Sequence, residues 1–285
     1  MVTKTRVIAR LDIKGPNLVK GIHLEGLRVL GDPSAYARHY YLEGADELFY
    51  MDVVASLFER NSLSSIIEKT AKEIFIPITV GGGIRNVEDV NKVLRAGADK
   101  VCINTGAVKN PEFIREASRL FGSSTIVAAL ECIRQPDGKY LAFVDNGREE
   151  TGLEASEWAV RLEDLGVGEI VVTSVDKEGT GEGVDSTLIS LISKKVRVPV
   201  IAHGGIGKPA DAVEAIRAGA SAIAAASVLH YDALFREKIG RDSQSGEGNT
   251  RFLSEQRAYN KIKPCSLEEL KAALRAENIP VRMML

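Results

Sequence analysis

Residues Pro77-Ile-Thr-Val-Gly-Gly-Gly-Ile84 return as Pro199-Val-Ile-Ala-His-Gly-Gly-Ile206, and the tail Leu94-Arg-Ala-Gly-Ala98 returns as Ile216-Arg-Ala-Gly-Ala220, both displaced by 122 residues. Each copy reads as a short buried strand, a glycine turn, a helix and the start of the next strand, so the repeat covers a whole βαβ stretch. At the same displacement Gly44 and Glu47 fall on Gly166 and Glu169. The repeat therefore spans about half of the molecule.

Outward from these copies, short Val- and Ile-rich runs alternate with segments of helical periodicity, the pattern of a parallel sheet with crossover helices. The runs predict strands at 6–12, 47–52, 78–80, 100–104, 126–130, 169–174, 200–202 and 222–225. Helices are expected at 32–43, 62–74, 86–96, 110–121, 154–165, 187–196, 209–218 and 266–277, several of them opening on Asp, Ser, Asn or Thr, whose side chains cap free N–H groups. Eight βα units predict one α/β domain over residues 1–285, a (β/α)8 TIM barrel made of two similar half-barrels. Only 231–264 breaks the rhythm. It is polar and reads as an inserted loop between the eighth strand and the last helix.

The 285 residues are 45% hydrophobic and 27% charged, with 37 basic and 39 acidic side chains in no long run of one sign. A formal charge of −2 gives no general attraction to nucleic acid or to an anionic membrane. No apolar run reaches the roughly 18 residues of a membrane span, so a cytoplasmic protein is expected. Cys102, Cys132 and Cys265 lack CxxC or Cys/His ligand spacing and read as buried free thiols, and neither metal nor cofactor is expected.

Both glycine turns follow a strand and precede a helix, where backbone N–H groups can approach an anion. Gly82 and Gly83 with Asn104 and Thr105, and Gly204 and Gly205 with Ser227, form two candidate phosphate sites on opposite sides of the barrel mouth. Between them Asp12 closes the first strand and Glu131 the fifth, a pair suited to general acid and base work. Asp52, Asp176 and Glu178 lie close by and are expected to orient loops or ligand hydroxyls. Alternation along the first strand puts Arg6, Ile8, Arg10 and Asp12 on one face, so Arg10 enters the barrel and needs an anionic partner, Asp12 or Glu131. At the opposite end Arg6, Glu47, Lys100 and Glu169 open four strands, as a solvated rim or as a salt-bridged ring around an axial opening.

Ala9-Arg-Leu-Asp-Ile-Lys14, Val19-Lys-Gly21, Gly81-Gly-Gly-Ile84, Ala98-Asp-Lys-Val101, Ile103-Asn-Thr105, Gly168-Glu-Ile170 and Thr173-Ser-Val-Asp176 stand in an order that resembles the cyclase subunit of imidazole glycerol phosphate synthase. The resemblance covers almost the whole chain except 231–264. It implies a half-barrel duplication that receives ammonia from a glutaminase docked under the barrel. With that ammonia it converts a phosphoribulosyl formimino intermediate to imidazole glycerol phosphate and an aminoimidazole carboxamide ribotide. By matching motif, Asp12 would be one catalytic carboxylate, Lys20 the cation of a mobile first loop, and Asp99 a glutaminase-facing residue. Arg6, Glu47, Lys100 and Glu169 would be the ammonia gate.

Departures accompany it. The family has aspartate where Glu131 stands, a small residue at Arg10 and usually serine at His203, while Gly15-Pro-Asn17 replaces a more acidic loop start. These leave two alternatives open: a paralogue that passes glutamine-derived ammonia to another acceptor, such as amidination of a surface sugar, and the related barrel isomerase that performs an Amadori rearrangement. The gate residues argue against the isomerase, which needs no ammonia path.

Overall fold

A computed structural model describes residues 4–55, 63–239 and 261–283. The chain begins with β1 (Arg6–Lys14), a hairpin of β2 (Asn17–Ile22) and β3 (Glu25–Gly31), α1 (Pro33–Leu42), β4 (Glu47–Asp52) and α2 (Ser64–Ala71). It continues with β5 (Ile78–Gly81), α3 (Val87–Arg95), β6 (Lys100–Ile103), α4 (Thr105–Lys109), α5 (Pro111–Phe121) and β7 (Ile126–Arg134). A second hairpin of β8 (Tyr140–Val144) and β9 (Glu149–Glu154) leads to α6 (Ala155–Leu165), β10 (Glu169–Ser174), α7 (Ser186–Ser193) and β11 (Val200–His203). The last described elements are α8 (Pro209–Arg217), β12 (Ala222–Ala225), α9 (Ser227–Phe235) and α10 (Leu267–Ala276).

Parallel pairing runs β10, β11, β12, β1, β4, β5, β6, β7, and a further β7–β10 pairing closes the circle into an eight-stranded barrel. All eight expected strands are present. Strand alternation divides the apolar side chains in two. Val7, Ala9, Leu11 and Ile13 of β1 face the helices in the large outer core. Ile8 joins Phe49, Cys102, Val127, Val171, Ile201 and Ala222 in a separate cluster inside the barrel.

Helix starts obey the capping expectation at several places. Asp32 accepts from Ser34 N at 3.0 Å, Asn86 from Asp89 N at 2.9 Å, and Ser266 forms a reciprocal capping box with Glu269. Two hairpins and two helices, α4 and α9, were not expected from periodicity. Helix α9 runs through Tyr231 to Phe235, so the segment read as a loop from 231 begins as helix. Residues 240–260, the middle of the expected insert, lie outside the described residues, as do 56–62.

Candidate active site at the C-terminal mouth of the barrel

The floor of the barrel is a closed ring of ion pairs. Arg6 meets Glu47 at 2.9 Å and Glu169 at 2.8 Å, and Lys100 meets the same two carboxylates at 3.0 and 3.1 Å. The reading as a salt-bridged ring is the one the geometry matches, because two cations and two anions alternate at one depth. Thr79 Oγ1 also donates to Glu47. Asp99 lies exposed just below, its carboxylate accepting Ile78 N at 2.8 Å.

Above the ring comes the apolar layer, and above that Arg10. Its Nε donates to Asp12 at 2.8 Å, with both side chains almost sealed from solvent at 2% and 4% exposure. Nη1 lies 3.1 Å from His203 Nδ1, and the guanidinium stands 5.8 Å from the Phe49 ring centre. A guanidinium only donates, so His203 Nδ1 is the acceptor and the proton sits on Nε2. Burial and then the Arg10 charge push the His203 pKa well below its ordinary value, which agrees with a neutral ring.

The two carboxylates differ sharply. Burial by itself would raise the Asp12 pKa, but Arg10, Lys20 and an Arg10 hydrogen bond outweigh it and hold the group at about 2. Glu131 accepts Gly147 N at 2.8 Å and, among the described residues, forms no ion pair. Burial therefore dominates and raises its pKa to about 7, against the lowering effects of Arg10, the Gly147 N–H and Asn104.

The first glycine turn opens into a cavity of about 250 Å³ whose walls include Gly82, Gly83, Asn104, Thr105 and Glu131. Gly82 adopts φ +100°, and a side chain there would meet Asp52 O at 2.3 Å, so only glycine fits this approach. Asn104 donates to Phe143 O at 3.1 Å, and Thr105 exchanges hydrogen bonds with Asp145 at 3.2 Å. The second turn, with Gly204, Gly205 and Ser227, encloses only about 10 Å³. The two expected phosphate sites thus lie at matching strand ends with very different room.

Lys20 is buried and paired with Glu178 rather than free. Glu178 also accepts Leu24 N at 2.9 Å, and Asn146 donates to Leu24 O at 2.7 Å, so the β2–β3 hairpin is latched across the mouth. Leu24 holds φ +62°, a conformation that costs an ordinary side chain on the order of 1–3 kcal/mol and that these contacts impose. Asp176 is exposed, accepts Arg134 N at 2.9 Å, and lines neither cavity. Asp52 accepts Val54 N at 3.1 Å.

Sequence reasoning missed Arg85 and Lys109, which line the open cavity, and the Asn146 turn that faces it. Asp145-Asn146-Gly147, with φ of 52°, 62° and 75°, is a hairpin-turn signal that could have revealed the β8–β9 pair. The three cysteines are free and buried. Among the described residues no group of three or more His, Cys, Asp or Glu could hold a metal ion, and no helix is long and apolar enough to cross a membrane.

Fold and site define a (β/α)8-barrel enzyme with buried carboxylates at the C-terminal ends of its strands. The sequence profile described as "Histidine biosynthesis protein" matches residues 6–234. The chain is 56% identical over 207 residues to the imidazole glycerol phosphate synthase subunit HisF of Legionella pneumophila, an alignment covering 73% of this chain and 98% of that protein. It is 48% identical over 233 residues to the same subunit of Alkaliphilus metalliredigens, covering 81% and 92% of the two chains. With that of Methanocaldococcus jannaschii it shares 45% over 259 residues, covering 84% and 95%. The chain belongs to the histidine biosynthesis protein family, with the HisF subunits of imidazole glycerol phosphate synthase as relatives along most of its length.

Proposed function

We propose that the chain is the cyclase subunit of an imidazole glycerol phosphate synthase and works in the cytoplasm. It uses glutamine-derived ammonia to turn a phosphoribulosyl formimino bisphosphate into imidazole glycerol phosphate and aminoimidazole carboxamide ribotide. The single observation that carries this reading is the ring of Arg6, Glu47, Lys100 and Glu169 on the barrel axis, directly beneath an apolar interior that ends at the carboxylates. An isomerase has no use for such an entry.

Neutral ammonia suits that path. Ionic side chains at the ring exchange partners to admit a small dipole, and the apolar layer above disfavours ammonium, which carries a full desolvation cost. At the mouth, Gly82, Gly83, Asn104 and Thr105 hold one phosphate, and Gly204, Gly205 and Ser227 hold the other once Lys20 and its hairpin lift from Glu178. Asp176 supports the mouth by fixing the end of β7 through Arg134 N.

The glutaminase docks on the N-terminal face of the barrel. Supporting this, the exposed large apolar residues Leu42, Phe75 and Leu120, at 57%, 79% and 61% exposure, lie in or beside segments that lead into strand starts, and Met283, 55% exposed, lies two residues past Val281, which pairs with Thr5 at the entry to β1. Tyr41 and Phe75 touch, with ring centres 6.4 Å apart, and Asp99 shares that face. Apolar patches rimmed by charge mark protein contact surfaces.

A second reading is favoured by one observation, the near-closed second glycine turn. It is a paralogue delivering ammonia to a different acceptor, such as a surface sugar. Assay of the chain and its glutaminase with the formimino bisphosphate separates the two. Turnover with glutamine that Lys100→Glu abolishes, while turnover with ammonium salt persists, supports the cyclase and its gate. Glutaminase stimulation without cyclase turnover supports the paralogue.

A further inference from the structure

Paired carboxylates at a barrel mouth invite a division into one acid and one base, but these two are not in comparable places. Asp12 sits behind Arg10, hydrogen-bonded at 2.8 Å, and does not reach the wall of the 250 Å³ cavity. On the other side of the guanidinium, His203 Nδ1 accepts from Nη1 at 3.1 Å, and the Phe49 ring centre lies 5.8 Å away. Lys20 adds a second positive charge nearby. Glu131 lies on the cavity wall, where it accepts the Gly147 N–H at 2.8 Å and a hydrogen bond from the Asn104 side chain.

From this geometry we infer that Glu131 alone carries protons in the reaction, and that Arg10 is a positioning residue which keeps Asp12 as a fixed anion. The inference rests on the reading of the chain as an ammonia-using cyclase. It differs from the two-carboxylate division of labour that the sequence pattern suggested.

The groups facing Glu131 are consistent with this role. From β1 come Arg10 and Asp12, from β6 Cys102 and the Asn104 that follows it, and from the β8–β9 turn the Gly147 N–H, with Cys132 next on β7 itself. Burial holds the Cys102 thiol at about 12 and the Cys132 thiol well above its ordinary range, so neither carries charge at neutral pH. As seen from Glu131, the Arg10 charge lowers the pKa more than the Asp12 charge raises it, and the Gly147 and Asn104 hydrogen bonds lower it further. Burial outweighs them and places this carboxyl near 7, where a proton carrier is most useful.

The proton balance closes on one group. As the ammonia nitrogen bonds to the substrate's ketone carbon, Glu131 carries protons from it to the carbonyl oxygen, which leaves as water when the iminium forms. As the ring closes, Glu131 takes the protons that the iminium nitrogen and the neighbouring CH2 carbon give up and passes them to the ribotide amine that departs when the formimino C–N bond breaks. Bisphosphate plus ammonia gives two monophosphates plus water, and Glu131 ends as it began. Asp12, locked as an anion, stabilises the positive charge of the iminium formed between.

The test is the rate against pH, between about pH 5.5 and 9, for the full chain with the formimino bisphosphate at a fixed concentration of free ammonia. One ionisation near pH 7 is expected in the parent. Glu131→Gln should lose that inflection and about 10²- to 10⁴-fold in rate. Asp12→Asn should be slower and keep the inflection. Arg10→Met should bring in a second acid limb as Asp12 titrates upward, and Arg10→Lys should restore the single-limb profile, which a merely structural role would not do. An inflection that survives in Glu131→Gln, or that disappears in Asp12→Asn, overturns the inference. No turnover by the parent at any pH overturns the cyclase reading instead. In that event the ¹³C carboxyl titrations of the two residues still decide: a Glu131 that does not titrate near 7, or an Asp12 that does, overturns the inference on its own.

Discussion

Replacing Glu131 by glutamine should stabilise this protein in alkaline solution and leave it nearly unchanged in acid. The folded-state pKa is raised from an ordinary 4.5 to about 7, so the native state binds the proton more tightly than the unfolded chain. For such a group the favourable contribution is fully present below about pH 4.5 and is lost as pH rises through 7. Above that the parent bears the cost of a buried ionised carboxylate, roughly 3 kcal/mol by the linkage between pKa and free energy. Glutamine has nearly the same shape, can still accept the Gly147 N–H, and carries no charge to desolvate.

Urea unfolding followed at about pH 5 and at about pH 8.5 reads this directly. The difference between variant and parent should be small at the lower pH and grow by up to about 3 kcal/mol at the higher one. That is a midpoint shift on the order of 1 M urea for a slope near 3 kcal/mol per M. Glu112, whose side chain is 71% exposed, provides the control, and Glu112→Gln should show no such pH dependence. A Glu131→Gln difference that is flat across this range would refute the argument that burial controls this carboxyl, whatever the activity of the variant.

Two further outcomes are expected. Glu178→Gln weakens the bond to Lys20 and the bond to Leu24 N that latch the β2–β3 hairpin, so limited proteolysis should cut near Leu24 several-fold faster than in the parent. An unchanged cleavage rate would mean that Asn146 and packing suffice to hold the hairpin. Lys271→Met leaves Asp46, its partner at 2.9 Å with both side chains 4% exposed, as an unpaired buried carboxylate. Loss of about 3–5 kcal/mol is expected by chemical denaturation, and the double variant that also carries Asp46→Asn should recover part of it.

Much of the architecture was legible in the sequence because it depends on short-range chemistry. The alternation of Val- and Ile-rich runs with helical segments needs only local periodicity, and Asp32, Asn86 and Ser266 mark helix starts through bonds to residues two or three positions ahead. The glycine turns were visible because Gly82 and Gly205 meet a demand of the backbone itself. Charges at strand starts fell into a ring because strand register places Arg6, Glu47, Lys100 and Glu169 at one depth once the barrel closes.

What the tertiary structure decided lies in contacts between distant residues. Arg10 had two candidate partners by strand position, and its choice of Asp12 over Glu131 follows from His203, 193 positions away, holding the other side of the guanidinium. Glu178 became the latch of the first hairpin through Lys20 and Leu24, more than 150 positions earlier. The unequal rooms behind two nearly identical glycine turns have the same origin, since each is shaped by loops that local sequence does not bring there. Residue type and spacing determined which groups would stand at the mouth. Only the packed chain determined which of them share a charge, and therefore which one is free to move a proton.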